Sequence, residues 1–281
     1  MIQNEKKDAV VQKLETQAKE LRKTILTMIH EAKSGHPGGS LSAADIMAVL
    51  YFEELQVRPQ DPHWEERDRF VLSKGHVCPV LYSCLALRGY FPMDVVKTLR
   101  KEGSMLQGHP DMKRCPGVDI STGSLGQGLS TAVGMALAAK RDERKYRVFC
   151  LVGDGESQEG QIWEAVQTAV KYQLDNLIII VDNNGLQNDN TCEVVMPLGD
   201  LGVKFEAFGC AVQRIDGHSI PEIRTAFGFA REHRGGKPHC IVAKTVKGKG
   251  VSFMEHVVAW HGTPPNDEQY GTAIQEIEGG V

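Results

Sequence analysis

No apolar run in this 281-residue chain approaches the roughly 18 residues that a membrane helix needs. The polar opening, Met1 to Asp8, has no signal-peptide core. A large net charge is also missing: basic and acidic residues nearly balance, and a formal net charge of −4 gives no electrostatic reason to expect nucleic acid or an anionic membrane as a partner. Cys-x-x-Cys pairs are missing. The 7 cysteines (Cys78, Cys84, Cys115, Cys150, Cys192, Cys210 and Cys240) stand singly, several within apolar segments. That dispersal suits reduced, buried thiols in a cytoplasmic protein better than a disulfide framework or a zinc site. Internal repeats and low-complexity linkers are also lacking, so one α/β domain over residues 1–281 is expected, with a polar, partly mobile tail from about Thr263.

What is present is an alternation of apolar runs and helical stripes. Val11, Leu14, Ala18, Leu21, Ile25 and Ile29 share a face of a helix from about Asp8 to Lys33. After the break Ser34-Gly35-His36-Pro37-Gly38-Gly39-Ser40, Ser42 is expected to cap a second helix running through Asp45 and Leu50. Arg69 to Ser73 reads as a strand and Val80 to Arg88 as a helix. Residues 101–124 read as a long irregular loop, a length that usually signals function. Strands follow at Arg147 to Val152, Leu177 to Val181, Ala211 to Ile215 and His239 to Lys244, with helices between them.

The most informative stretch is Gly153-Asp154-Gly155, then positions 156–182, then Asn183-Asn184. A strand, a helix carrying Ile162, Val166 and Ala169, and a second strand form a unit whose two strands run parallel. Asp154 and Asn184 are thereby delivered to the carboxyl edge of the sheet, where open α/β sheets bind ligands. A carboxylate and an amide oxygen there suit a hard divalent cation such as Mg²⁺, which fills its octahedron with phosphate oxygens and water.

Four histidines sit in glycine-bearing turns outside any apolar stripe: His36, His76, His109 and His261. One such residue is ordinarily a surface or structural histidine; four together suit recognition of a polyol, since imidazole both donates and accepts hydrogen bonds. His218, in Asp216-Gly217-His218, reads as loop structure. Glu159 and Glu164 are expected one and two turns into the helix after Asp154, exposed to solvent.

Gly-Asp-Gly followed at this distance by Asn-Asn resembles the thiamine diphosphate and Mg²⁺ motif of thiamine diphosphate-dependent enzymes. Taken in order, the segments from about residue 10 to 265 resemble the N-terminal half of transketolase. The resemblance implies a mostly parallel sheet with helices on both faces. It implies Mg²⁺ held by Asp154, Asn184 and the Leu186 carbonyl, with Ca²⁺ or Mn²⁺ as substitutes. It implies cofactor contacts from His76, Gly123, Ser124, Leu125, Gly155, Asn184, Lys247 and His261. His36, His261 and His109 take substrate-facing, catalytic positions, and Glu159 belongs to an acidic network across a subunit interface. The glutamate that activates the cofactor in that family lies in the second half of the longer enzyme, and the chain ends at Val281 before that half begins.

The expectation is therefore a diphosphate-binding subunit that transfers a two-carbon ketol unit between sugar phosphates. A separate chain should bring the pyrimidine-binding and C-terminal domains, two copies of each making a heterotetramer. Other readings stay open: a deoxyxylulose phosphate synthase-like or 2-oxo acid dehydrogenase-like subunit, or a non-catalytic subunit of the same fold. A dinucleotide-binding protein fits less well, because Gly123-x-x-Gly-x-Gly has the wrong spacing for that fingerprint.

Overall fold

In the computed structural model, which describes residues 2–279 and side chains from residue 9 on, the chain opens on helix α1 (Ile2–Ala32). Short helices α2 (Pro37–Ser42) and α3 (Ala44–Val49) follow, then strand β1 (Arg69–Leu72) and helix α4 (Cys78–Arg88). The long irregular stretch predicted for 101–124 contains no helix or strand and leads into α5 (Gln127–Arg141). Next come β2 (Val148–Gly153), α6 (Gly160–Lys171), β3 (Leu177–Asn183), α7 (Cys192–Val195), α8 (Leu201–Ala207), β4 (Ala211–Asp216), α9 (Ile220–Glu232), β5 (His239–Lys244) and α10 (Asp267–Gly279).

All five strands are parallel, in the order β1-β2-β3-β5-β4. Two apolar layers explain why the strands read as unbroken apolar runs. Phe149, Leu151, Ile178, Ile180 and Ile241 face a core built with α1, α3, α4 and α9. Their neighbours Cys150, Val152, Ile179, Val181 and Cys240 face a second core with α5, α6 and α8. A parallel sheet covered on both faces has no polar side to display. The register pairs Gly153 with Asp182 and Asn183 with Lys244, so the carboxyl ends of β2, β3 and β5 stop level with one another. That shared edge positions the site.

Three local expectations are corrected. Ser42 does not cap α3: it ends α2, and its hydroxyl turns inward to donate to Asp182 Oδ2 (2.5 Å). Glu159 is not a turn inside a helix; residues Glu156–Gln158 form a 3₁₀ turn first, and Glu159 is the residue before α6, with extended backbone. The tail after Thr263 is not loose through its described part. It folds as α10, whose Ala273 and Ile277 are buried, and Tyr270 shares a hydrogen bond with Thr27 Oγ1 on α1 (2.9 Å). Two apolar anchors among polar residues leave too faint a stripe to read, and the final Gly280 and Val281 lie outside the described residues. None of the described helices is long and apolar enough to cross a membrane.

Candidate active site at the carboxyl edge of the sheet

A cavity of about 350 Å³ opens at this edge and gathers most of the predicted residues: His36, His76, Gly123, Leu125, Asp154, Gly155, Glu159, Asn184, Leu186, Lys247 and His261 all line it. Ser124 and His109 are not part of its wall. His109 is exposed and stands against the loop just behind: a methyl group at Gly123 would come within 3.1 Å of its ring.

One side of the cavity is imidazole. The ring centres of His36 and His76 are 5.1 Å apart, those of His36 and His261 5.4 Å, and those of His76 and His261 5.1 Å. His36 precedes Pro37 at the start of α2, His76 lies in the turn leading to α4, and His261 ends a 3₁₀ turn. Three distant segments thus meet through one trio. Burial, and then the nearby Arg100, pushes His36 down to about 4. Burial and the Lys74 ammonium take His76 down to about 2, and burial with Lys247 takes His261 down to about 3. The trio is held neutral at physiological pH, able to donate and accept without carrying charge. His36 Nδ1 is buried and has no hydrogen-bond partner among the described residues, a polar atom pointing to a group that would bind there.

The opposite side is oxygen. Asp154 Oδ1 accepts from the Gly155 amide (2.8 Å) and Oδ2 accepts from the Gly185 amide (2.5 Å). Burial, and then neighbouring Asp182, pushes the Asp154 carboxyl above the usual carboxylate range. A cation beside it reverses that penalty, so the site is built to gain from one. Asn184 Oδ1 accepts from the Leu186 amide (3.0 Å), and the carbonyls of Leu186 and Gln187 accept from Lys247 Nζ (3.2 and 3.1 Å). Among the described residues no group of three His, Cys, Asp or Glu side chains is placed to hold a metal. One carboxylate, one amide and one carbonyl remain, a set that suits a small hard ion sharing its shell with phosphate oxygens.

Lys247, for which the sequence left a cofactor-facing cation and a solvated loop lysine both open, is 1% exposed. Its Nζ reaches His261 Nδ1 (2.8 Å), and burial together with Lys74 pushes it down to about 8. Gly38 makes room for its stem: a Cβ there would lie 2.8 Å from the Trp260 carbonyl and 2.9 Å from Lys247 Cγ.

Beside the cavity, the buried charges of Lys74, Asp182 and Glu156 escaped the sequence reading. Lys74 is paired with Asp182, which also accepts from Ser42 and Thr245 hydroxyls. Glu156 accepts from the Gly126 amide (2.9 Å), the Gly153 amide (3.0 Å) and the Ser73 hydroxyl, tying the Gly-rich loop and the Gly-Asp-Gly turn to the end of β1. The only signals available in the chain were a charge at the end of an apolar run and a second carboxylate two residues beyond Asp154.

Comparison with known proteins gives the family. Residues 14–277 match the family described as transketolase, thiamine diphosphate binding domain. The chain belongs to the transketolase family. It is 47% identical over 265 residues to the 6-deoxy-6-sulfo-D-fructose transketolase subunit SqwG of Clostridium sp. (strain MSTE9), covering 94% of this chain and 96% of the relative. An apulose-4-phosphate transketolase subunit of Phocaeicola vulgatus is 42% identical over 267 residues, covering 95% of this chain and 94% of that one. The crystal structure of Campylobacter jejuni transketolase superposes with a TM-score of 0.90 at 37% identity, covering 95% of this chain. The present chain spans 43% of that longer transketolase chain.

Proposed function

We propose that this chain is the diphosphate-binding subunit of a two-chain transketolase, moving a two-carbon ketol unit from a ketose phosphate to an aldose phosphate. The observation that carries the reading is the cavity itself. Three neutral histidines face it from one side, and Asp154, Asn184 and Leu186 from the other, with Lys247 reaching both His261 and the Leu186 carbonyl. Near-complete coverage of relatives named as transketolase subunits supports a division of the enzyme into two chains.

The orphaned His36 Nδ1, the raised Asp154 and the buried Lys247 fit thiamine diphosphate with Mg²⁺. When bound, the cofactor supplies the carbon nucleophile for ketol transfer. Asp154, Asn184 and the Leu186 carbonyl are the proposed ligands of Mg²⁺. Gly123, Leu125 and Gly155 offer close backbone approach from the cavity wall, with Ser124 outside it, and Lys247 offers a cation for a phosphate. His36 and His261 hold the sugar hydroxyls and exchange protons with them, a role worth about 10²–10⁴ in rate. His76 orients the cofactor, and His109 meets substrate from the loop behind Gly123. Glu159, exposed beside the cavity, is the proposed link to the partner subunit, in a complex of two copies of each chain.

Ketol transfer from xylulose 5-phosphate to ribose 5-phosphate, with thiamine diphosphate and Mg²⁺, tests this directly. Activity is expected only when the chain is mixed with one carrying the pyrimidine-binding and C-terminal domains. Activity of this chain alone removes the two-chain reading. Cofactor binding by the mixture without transfer removes these sugars and leaves the cofactor assignment standing.

A further inference from the structure

Behind Lys247, away from the cavity, a buried charged chain crosses from α1 to the loop after β5. Arg22 on α1 forks onto Asp45 on α3, Nη1 donating to Oδ1 (3.1 Å) and Nη2 to Oδ2 (2.5 Å). Asp45 Oδ2 is also 2.7 Å from Nδ1 of His218. The other ring nitrogen of His218, Nε2, faces the Val246 amide at 2.8 Å. A peptide N–H can only donate, so Nε2 carries the lone pair and Nδ1 carries the proton, given to Asp45. Arg22 completes the circuit: its Nε donates to the Lys249 carbonyl (3.1 Å). The network therefore grips the loop at Val246 and at Lys249, on either side of Lys247. Arg22 is 8% and Asp45 7% exposed, so these contacts are shielded from water.

The turn Asp216-Gly217-His218 is shaped to deliver the ring. Asp216 Oδ1 accepts from the His218 amide (2.9 Å), and Gly217 packs so tightly on β5 that a Cβ would lie 2.4 Å from Thr245 Cγ2. We infer that His218, backed by Asp45 and Arg22, is a positioning residue: it fixes the 246–249 loop and thereby aims the Lys247 amine into the active-site cavity. The role of Lys247 toward the cofactor is the one assigned under the proposed function, and the clamp rests on that reading. His218 touches none of the reacting groups.

Removing the ring leaves the Val246 N–H without an acceptor, an exchange worth about 5- to 150-fold in a local equilibrium. Amide hydrogen exchange on His218→Ala should therefore quicken by roughly tenfold or more across residues 245–250, with β2 and β3 unchanged. His218→Gln, which keeps an oxygen acceptor near Nε2, should stay near wild type. His218 also lines a separate open cavity of about 840 Å³, so added imidazole should slow exchange in the alanine variant. In the mixture with the partner chain, His218→Ala should weaken thiamine diphosphate binding with Mg²⁺ by a similar factor, in step with the exchange.

Unchanged exchange at 245–250 in His218→Ala overturns the clamp. So does unchanged cofactor affinity in that variant while Lys247→Met loses affinity. If Lys247→Met itself binds the cofactor as wild type does, the assignment of Lys247 fails, and the exchange result alone decides whether His218 braces the loop.

Discussion

Replacing Asp182 by Asn should cost this subunit more stability than any single change at its surface. Asp182 is 0% and Lys74 3% exposed, and the two are joined beneath the cavity. Burial pushes the Asp182 carboxyl up, but the Lys74 ammonium and the Ser42 and Thr245 hydroxyls outweigh it and hold it below the usual range. An amide in its place keeps one acceptor oxygen and leaves the Lys74 ammonium buried without the carboxylate it is paired with. Breaking a buried pair from one side costs about 3–5 kcal/mol. For a chain of this size that is a drop on the order of 10 °C in the unfolding midpoint. Urea and thermal unfolding of the chain without cofactor should show it, with the midpoint moving and the urea slope holding. The double variant Lys74→Met/Asp182→Leu should recover most of the loss, because a well-packed apolar pair escapes the cost of burying two ions. A loss below about 1 kcal/mol for Asp182→Asn, the figure for an exposed pair, would mean that burial adds nothing to this ion pair.

Glu156→Gln should destabilise the chain by about 1–3 kcal/mol, since an amide nitrogen must then face one of three donors, Ser73, Gly126 or Gly153; thermal unfolding measures it. Gly75→Ala should weaken cofactor binding by the mixed subunits. Its Cβ would lie 2.7 Å from Thr122 Oγ1 and 2.9 Å from the Gly123 nitrogen, forcing the Gly-rich loop aside; calorimetric titration with thiamine diphosphate reads the change. The histidine trio should make stability fall in acid. An unfolded histidine takes a proton near pH 6.5, whereas His36, His261 and His76 resist until about 4, 3 and 2. The unfolded chain thus binds more protons below pH 6.5, and each neutral histidine costs at most about 1.4 kcal/mol per pH unit, less for the more exposed His36. His76→Gln should flatten the decline between pH 6.5 and 4 in unfolding curves.

The parts legible in the sequence are those encoded by neighbours along the chain. β2 and β3 announced themselves because burial on both faces forces contiguous apolar runs, and the Gly-Asp-Gly turn and Asn pair mark their carboxyl ends. The four histidines stood out by their glycine-bearing turns, and three of them share one cavity wall. What stayed hidden depends on partners far apart in sequence. Asp182 gains its meaning from Lys74, 108 positions away, and Glu156 from Ser73, 83 positions away. His218 looked like loop structure because Asp45 lies 173 positions earlier. Ser42 had the right composition for a helix cap, but its backbone closes α2 and its hydroxyl is turned inward, donating to Asp182. Lys247 was named for the cofactor by resemblance, but nothing in its Gly/Lys-rich loop showed that its stem would be buried over Gly38.

On the proposed function, this chain supplies the metal–diphosphate half of a two-chain active site. Titrating the mixed subunits with thiamine diphosphate, with and without Mg²⁺, for wild type and Asp154→Ala, tests it most directly. Saturable, Mg²⁺-dependent binding is expected for the wild-type mixture, and its loss in Asp154→Ala. Binding that ignores Mg²⁺, or that survives in Asp154→Ala, would contradict it.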